Sequence, residues 1–566
     1  MNHKRPCQDR CVIAAAAWII VCSSSLQAGD WPMFGLDRTR NTVSSEKNPP
    51  LDWQVASPKD KTERNVLWSA RLGSNTMGDP VISDGLVWVG TNEYTNVTNR
   101  TDAVVLLCVN AKTGKPLYRY ISPRLHSRYL DWPYSSLGCS PLIEGNLLWF
   151  TTNRGEVICL DISPLKEGGG KPKQLWKVDM IKEFAVVLRG ADMGVMHIPS
   201  IASHDKYLYV VTGQGIDVQA DRVTAPTAPS LVCLEKATGK LVWKDATPGA
   251  NIIEGQWSSP TICQLKDQTQ VVVAQGDGWI RAFDPKGDGN GGSRVIWEFD
   301  INPKTSRFIF RHHCERRYFA GTPVFHGGRI YIGSGVNPAL GRPSGRFVCI
   351  DPTKRGDISE QLAVDAQGKK IPHRRLQAVD PSKGEEAIEN ANSGKLWAFE
   401  PNKEDYEKGF NGTISRVAVH DGLVIASDMD GFLHCLDADT GKRYWTHDFL
   451  AANFASPLII DGKVYVADED GDVTIFALSK TKKQIAEVAM PDSIYCSPVF
   501  ANGVLYLATR SRLYAIAGNG KPVAGKNETA KPDSRPTKAA FAPTPHDVVK
   551  KMLELAAVKK GDTVCD

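Results

Sequence analysis

From Thr413 to Trp445, short runs in which apolar and polar residues alternate are separated by aspartate-glycine or threonine-glycine turns. The pattern predicts four strands: one ending near Val419, then Leu423 to Ser427, Phe432 to Asp437 and Lys442 to Trp445, with turns at Asp421-Gly422, Asp430-Gly431 and Thr440-Gly441. Glycine reaches positive φ without a Cβ clash, so such pairs between alternating residues signal hairpins. The product is a small antiparallel meander. Alone it cannot bury both of its faces, so it requires neighbours built the same way.

Those neighbours are written along the chain. The closing tryptophan recurs as Trp176, Trp243, Trp297 and Trp397, with Trp68 ahead of the series and Tyr118 in its place in the second unit. Opening strands are marked by Gly78 to Pro80, Cys139 to Pro141, Ser258 to Pro260, Gly321 to Pro323, Ala455 to Pro457 and Cys496 to Pro498, with degenerate copies at Ile198 to Ser200 and Ile414 to Arg416. Eight units without helical periodicity between them predict an all-β, eight-bladed β-propeller of four-stranded antiparallel blades. The last repeat, ending at Gly518, lacks its tryptophan strand, and Asn65 to Leu72 is a tryptophan strand with no opener before it. The N-terminal strand is therefore expected to complete the last blade, removing two open sheet edges.

Charge and cysteine usage narrow the setting. The net charge of +5 is +2 in the first 28 residues and +3 beyond Gly518, which leaves the repeat region neutral. Nucleic-acid binding rests on clustered basic charge, so no such partner is expected. Residues 1–28 combine Lys4, Arg5 and Arg10 with an apolar run, Val12 to Val21, and a small-residue exit at Ala28, the layout of a secretory signal. The run is too short for a bilayer span of about 20 residues, and Cys22 lacks the small residue expected before a lipidated cysteine. Of the 13 cysteines, Cys108, Cys159, Cys233, Cys349 and Cys435 share one repeat position, and Cys139 and Cys496 another. Equivalent positions in different blades lie too far apart to bridge, so buried thiols are expected rather than disulfides.

The turn before the tryptophan repeats as Asn110 to Tyr118 (NAKTGKPLY), Glu235 to Trp243 (EKATGKLVW) and Asp437 to Trp445 (DADTGKRYW). It resembles the tryptophan-docking motif of propellers of the pyrroloquinoline quinone (PQQ) type, and the likeness extends over nearly all of Trp31 to Gly518. Glycine permits the tight turn, threonine or aspartate bonds its backbone, and the aromatic packs between blades. The resemblance implies one of two classes. One is the quinoprotein dehydrogenases, which oxidise alcohols or sugars with PQQ and calcium. The other is BamB-like outer-membrane assembly factors and exported PQQ-repeat proteins that work without a cofactor, whose start the stretch Trp31 to Asn41 resembles. Many of the alcohol dehydrogenases carry two adjacent cysteines against the quinone, and no Cys-Cys pair stands here. No catalytic, cofactor-binding or metal-ligating residue is assigned.

Four stretches stand out as candidate sites. Asp284 to Gly292, with Asp288 and Asn290, superficially resembles a calcium loop but carries Val295 where the closing glutamate belongs, and reads as a glycine-rich hairpin turn. Arg307 to Arg317 gathers His312, His313, Cys314 and Glu315 among four arginines. Adjacent residues do not converge on one metal, so it reads as a polar surface loop suited to a partner. Arg355 to Asn392 and Asp217 to Ser230 read as solvated excursions that could frame a binding face.

Beyond Gly518, residues 519–543 read as a flexible linker. A helix follows, with Thr544 as cap, Pro545 at its first position, Asp547 in its first turn and an apolar face of Val549, Met552, Leu553 and Ala556. Lys560-Gly561-Asp562 then turns into a strand, Thr563 to Cys565, before Asp566. Residues 544–566 resemble the entry to a class I S-adenosylmethionine-dependent methyltransferase, stopping where the cofactor loop would begin. The resemblance implies a methyltransferase in a longer parent chain and no such activity in this one. The expectation for this chain is an exported, periplasmic or envelope scaffold of the BamB-like kind, binding proteins through propeller loops, with no transmembrane span. A PQQ- and calcium-dependent alcohol or sugar dehydrogenase is the alternative.

Overall fold

A computed structural model describes residues 29–56, 60–93, 103–123, 136–188, 199–217, 222–308, 315–335, 345–402, 404–405 and 408–518. The leader, His312, His313, Cys314, the linker and the methyltransferase-like tail lie outside these residues. The sixth unit folds as its pattern predicts, into Ala418–His420, Leu423–Ser427, Phe432–Asp437 and Arg443–Asp448, paired antiparallel in that order. Seven further four-stranded sheets repeat the plan, so the protein is an eight-bladed β-propeller. Each blade opens on a short innermost strand: Val81–Ser83, Leu142–Glu144, Ala202–His204, Thr261–Gln264, Val324–His326, Ala418–His420, Leu458–Ile460 and Val499–Ala501.

The outer strands explain the tryptophans. In five blades the closing aromatic faces the shared cysteine across the ladder: Cys108 with Tyr118, Cys159 with Trp176, Cys233 with Trp243, Cys349 with Trp397 and Cys435 with Trp445. A small residue opposite leaves room for the indole to lean toward the next blade. There its N–H donates to a turn carbonyl: Trp176 to Lys236, Trp243 to Pro285, Trp397 to Ala438 and Trp445 to Ser479, at 2.9–3.1 Å. The turn glycine lies under the ring. A Cβ on Gly441, at φ +71°, would stand 2.4 Å from the Trp397 ring. Cys108, Cys139, Cys159, Cys233, Cys349, Cys435 and Cys496 are free and buried, as their repeat positions predict, and so is Cys263.

Closure also follows the expectation. Val66–Arg71 pairs antiparallel with Arg512–Ala517, and Trp68 donates to Ala111 O at 2.9 Å, docking the last blade on the first. What precedes that strand is a surprise. Residues 29–44 form a strap across the innermost strands: Trp31 exchanges two backbone bonds with Ile82, and Pro32 O accepts from Ile143 N. Farther along, Arg38, Thr39 and Thr42 carbonyls accept from Ile262, Phe325 and Ile459, and Asn41 brackets the backbone of Val419. Gly29 O accepts from Asn502 N, while the Arg40 side chain donates to Ile201 O. One segment thus bonds to the innermost strand of six blades and, at Ile201 and Asn502, to the residue beside that strand in the other two.

Three expectations need correction. The tripeptides that mark opening strands stand just ahead of those strands, because their hydroxyls bond around the axis rather than into a ladder. In the two degenerate copies the register slips by one residue, and Ser200 and Arg416 occupy the ring position. Arg355 to Asn392 is largely exposed, as an excursion should be, but it is ordered and not confined to its own blade: Gly356–Asp357 adds a parallel fifth strand to the outer strand of the fourth blade, and Gln361–Val364 pairs with Glu386–Glu389. Such pairing needs only backbone, so a polar sequence conceals it.

Candidate functional site

Around the propeller axis one side chain per blade faces the next: Asp79, Ser140, Ser200, Ser259, Thr322, Arg416, Ser456 and Ser497. Amides of Ser140, Ser200 and Ser259 donate to the hydroxyls of Ser200, Ser259 and Thr322, and those of Arg416 and Ser456 donate to Ser456 and Ser497, all at 3.0–3.1 Å. Ser497 N completes the turn onto Asp79 Oδ1 at 2.7 Å. Only Asp79 and Arg416 are charged, and they pair, with Nη2 2.8 Å from Oδ2. The Arg416 guanidinium lies 3.7 Å from the centroid of the Phe34 ring on the strap. From the same strap Arg40, fully buried, donates to the carbonyls of Pro260, Phe34 and Ile201. Burial, reinforced by the Arg416 charge, brings the Arg40 guanidinium down to about 9. Sequence reading missed both arginines. The available signal was a charged residue in a repeat position otherwise filled mostly by hydroxyls.

A second charged cluster lies where the long insertion crosses the fourth blade. Arg281 and Asp277, both buried, pair at 2.7 Å. Burial alone would raise the Asp277 carboxyl, but Arg281 and His373 hold it well below the usual range. His373, from the insertion, accepts from Trp279 Nε1 at 3.1 Å through Nδ1 and lies with Nε2 3.4 Å from Asp277. Arg375 latches the insertion to Ile252 O and Ile253 O. The Asp217 to Ser230 excursion meets the same segment, with its Val223 clustered with Ile216 and Ile252 and Ile216 N donating to Glu254 O at 2.8 Å. The two excursions therefore converge on residues 252–254, one carrying a half-exposed Leu376.

The other candidates resolve differently. In Asp284 to Gly292 the carboxylates serve their own turn: Asp284 accepts from Lys286 N, and Asp288 from Asn290 N and Gly292 N. Gly287 lies under the Trp243 indole, so this loop is the docking turn of the fourth blade. In Arg307 to Arg317 the described Arg307 and Glu315 are exposed, as expected of a surface loop, but Arg316 and Arg317 turn inward: Arg316 is fully buried 3.6 Å from Asp300, which also pairs with Lys304 at 2.8 Å. Among the described residues no three His, Cys, Asp or Glu side chains converge to hold a metal ion.

One carboxylate gives a pH prediction. Asp468, 3% exposed beside Asp470 and Asp472, is pushed by burial and by those charges from its ordinary 3.8 up to about 6. Because its folded value exceeds the unfolded one, its contribution to stability is fully present below about pH 4 and is lost as pH rises through 6. Asp468→Asn keeps an acceptor for the Gly471 and Asp472 amides. It should gain about 1–2 kcal/mol at pH 7.5 and nothing at pH 4, read from urea melts at both values.

Against known proteins, residues 166–385 and 373–516 match the family model described as outer membrane protein assembly factor BamB. A stretch of 92 residues is 34% identical to 1-butanol dehydrogenase (cytochrome c) of Thauera butanivorans, spanning 14% of this chain and 13% of that protein's length. Among solved structures, the quinohemoprotein alcohol dehydrogenase of Pseudomonas putida HK5 superposes with a TM-score of 0.51 at 12% identity, covering 93% of this chain and 86% of that one. BamB from Moraxella catarrhalis gives 0.48 at 15%, covering 80% and 99%. At that identity the Pseudomonas putida structure speaks for the fold alone. Among the described residues no helix is long and apolar enough to cross a membrane. Because the two matched stretches together span more than half of the chain, the protein belongs to the family described as outer membrane protein assembly factor BamB.

Proposed function

We propose that this chain is an exported, non-catalytic propeller that serves as a protein-interaction scaffold in the cell envelope. The observation that carries the reading is the filled axis. PQQ is a flat tricarboxylate, and together with calcium it needs a slot, facing cations and convergent carboxylates. At the axis Asp79 is taken by Arg416 and by Ser497 N, the Arg416 face is covered by Phe34, and Arg40 is spent on three carbonyls. These residues do not fit a quinone with its metal. Family membership supports the same reading, with the insertion over the fourth blade as the natural partner-binding surface.

The 1-butanol dehydrogenase stretch favours a second reading, a quinoprotein dehydrogenase, and one set of experiments separates the two. A photo-crosslinking amino acid at Leu376 or at Leu450, which is 89% exposed, should give discrete protein adducts in the native envelope. The same protein, supplied with PQQ and calcium, should leave a redox dye unreduced by alcohols or sugars. Dye reduction without adducts would reverse the reading. The methyltransferase-like tail supports a further proposal, that the native product continues past Asp566. An intact mass from its host exceeding this chain by roughly 150 residues, a domain's worth, is the expected result.

A further inference from the structure

The axial ring holds an excess of buried positive charge. Arg40 and Arg416 are both buried against the Phe34 ring, with guanidinium carbons 5.7 and 3.7 Å from its centroid, and the ring position supplies one carboxylate, Asp79. That carboxylate binds Arg416 through Nη2 alone. Arg416 Nη2 also reaches Ser497 Oγ at 3.3 Å, but its Nε and Nη1 are buried and have no hydrogen-bond partner among the described residues. The Arg40 guanidinium donates to neutral carbonyls. Asp37, on the strap, offers it a more distant charge and is half-buried, with Oδ1 taken by Thr39 N and Oγ1. A buried guanidinium with idle N–H groups and uncompensated charge is a site for an acceptor that carries negative charge.

We propose that the axial ring binds one monovalent anion on the idle Nε and Nη1 of Arg416, balancing the second arginine. The site takes a small acceptor, either a free halide or the carboxylate of a small ligand, because Phe34 lies over the guanidinium and Asp79 and Ser497 hold its Nη2. No bond forms or breaks, and the scaffold reading does not depend on it. A filled site adds to stability with anion concentration, since the unfolded chain has no such cradle.

The test is thermal unfolding of the intact protein in sodium bromide against sodium gluconate at matched ionic strength, joined to bromide anomalous diffraction. Bromide at saturating concentration should raise the melting temperature by roughly 2–4 °C and give an anomalous peak beside Arg416. Sodium formate acting in place of bromide, and competing for the peak, assigns the site to carboxylates as well. Arg416→Gln should abolish the bromide dependence. If that variant does not fold, Asp79→Asn decides the matter, because it keeps the acceptor for Ser497 N, removes the compensating charge and should steepen the dependence. No anion dependence in the native protein, or an unchanged dependence in Asp79→Asn, overturns the proposal. So does displacement of bromide by PQQ.

Discussion

A chain lacking residues 29–44 but retaining the closing strand is expected to lose its cooperative melt. The strap supplies acceptors or donors to the innermost strand of six blades and to the residue beside that strand in the other two, so its removal strands mostly buried backbone groups at Ile82, Ile143, Ile201, Ile262, Phe325, Val419 and Ile459. Each net bond contributes about 0.5–1.5 kcal/mol, and an orphaned buried group costs about 1–3. Trp31, 1% exposed, and the fully buried Arg40 are lost from the core as well. The sum is of the order of 10 kcal/mol, comparable with the whole stability of a typical domain. Near-ultraviolet circular dichroism on heating should show no sigmoidal transition, or one far below that of the intact chain. An unchanged melt would mean that the strap only rests on the ring.

The second large effect concerns one tryptophan and the glycine beneath it. Trp397→Ala removes a nearly buried indole from the seam between the fifth and sixth blades and takes one donor from Ala438 O, which keeps those of Arg329 and Tyr331, a loss of about 3–5 kcal/mol. Gly441→Ala is costly for a different reason. Its φ of +71° disfavours any Cβ by about 1–2 kcal/mol, and the added carbon meets the Trp397 ring. The clash exists only while the indole is present. The double variant should therefore be more stable than the sum of the two singles by about 1 kcal/mol or more, measured as a denaturant cycle. Strict additivity would show that the ring does not rest on that glycine.

The parts that the sequence displayed are the parts carried by side-chain alternation. The eight opening segments, six tripeptides and two degenerate copies, set the blade count, and the tryptophan strand Asn65 to Leu72, with no opener before it, set the closure. The strap was invisible because most of its bonds run through backbone carbonyls, which leave no periodicity, and the side chains that join them, among them Asp30, Arg38, Arg40, Asn41 and Thr42, follow no repeat. The fifth strand of the fourth blade, Gly356–Asp357, was hidden for the same reason. Asp284 to Gly292 was ambiguous because a chelating loop and a docking turn both need aspartate and glycine, and what separates them is whether the carboxylates face outward or bond their own amides. Arg316 and Arg317 read as surface because arginine runs are usually solvated, and only the placement of Asp300 shows why Arg316 is buried. Arg416 was legible as a repeat member but not as an axial charge, since its partner Asp79 lies 337 positions away.

The central claim is that the axis of this propeller is closed by the chain's own residues and is not a cofactor site. Calorimetric titration of PQQ with calcium into the intact protein tests it most directly. The account predicts no heat beyond dilution at high micromolar quinone. Stoichiometric binding, accompanied by dye reduction with an alcohol, would contradict it and return the protein to the dehydrogenases.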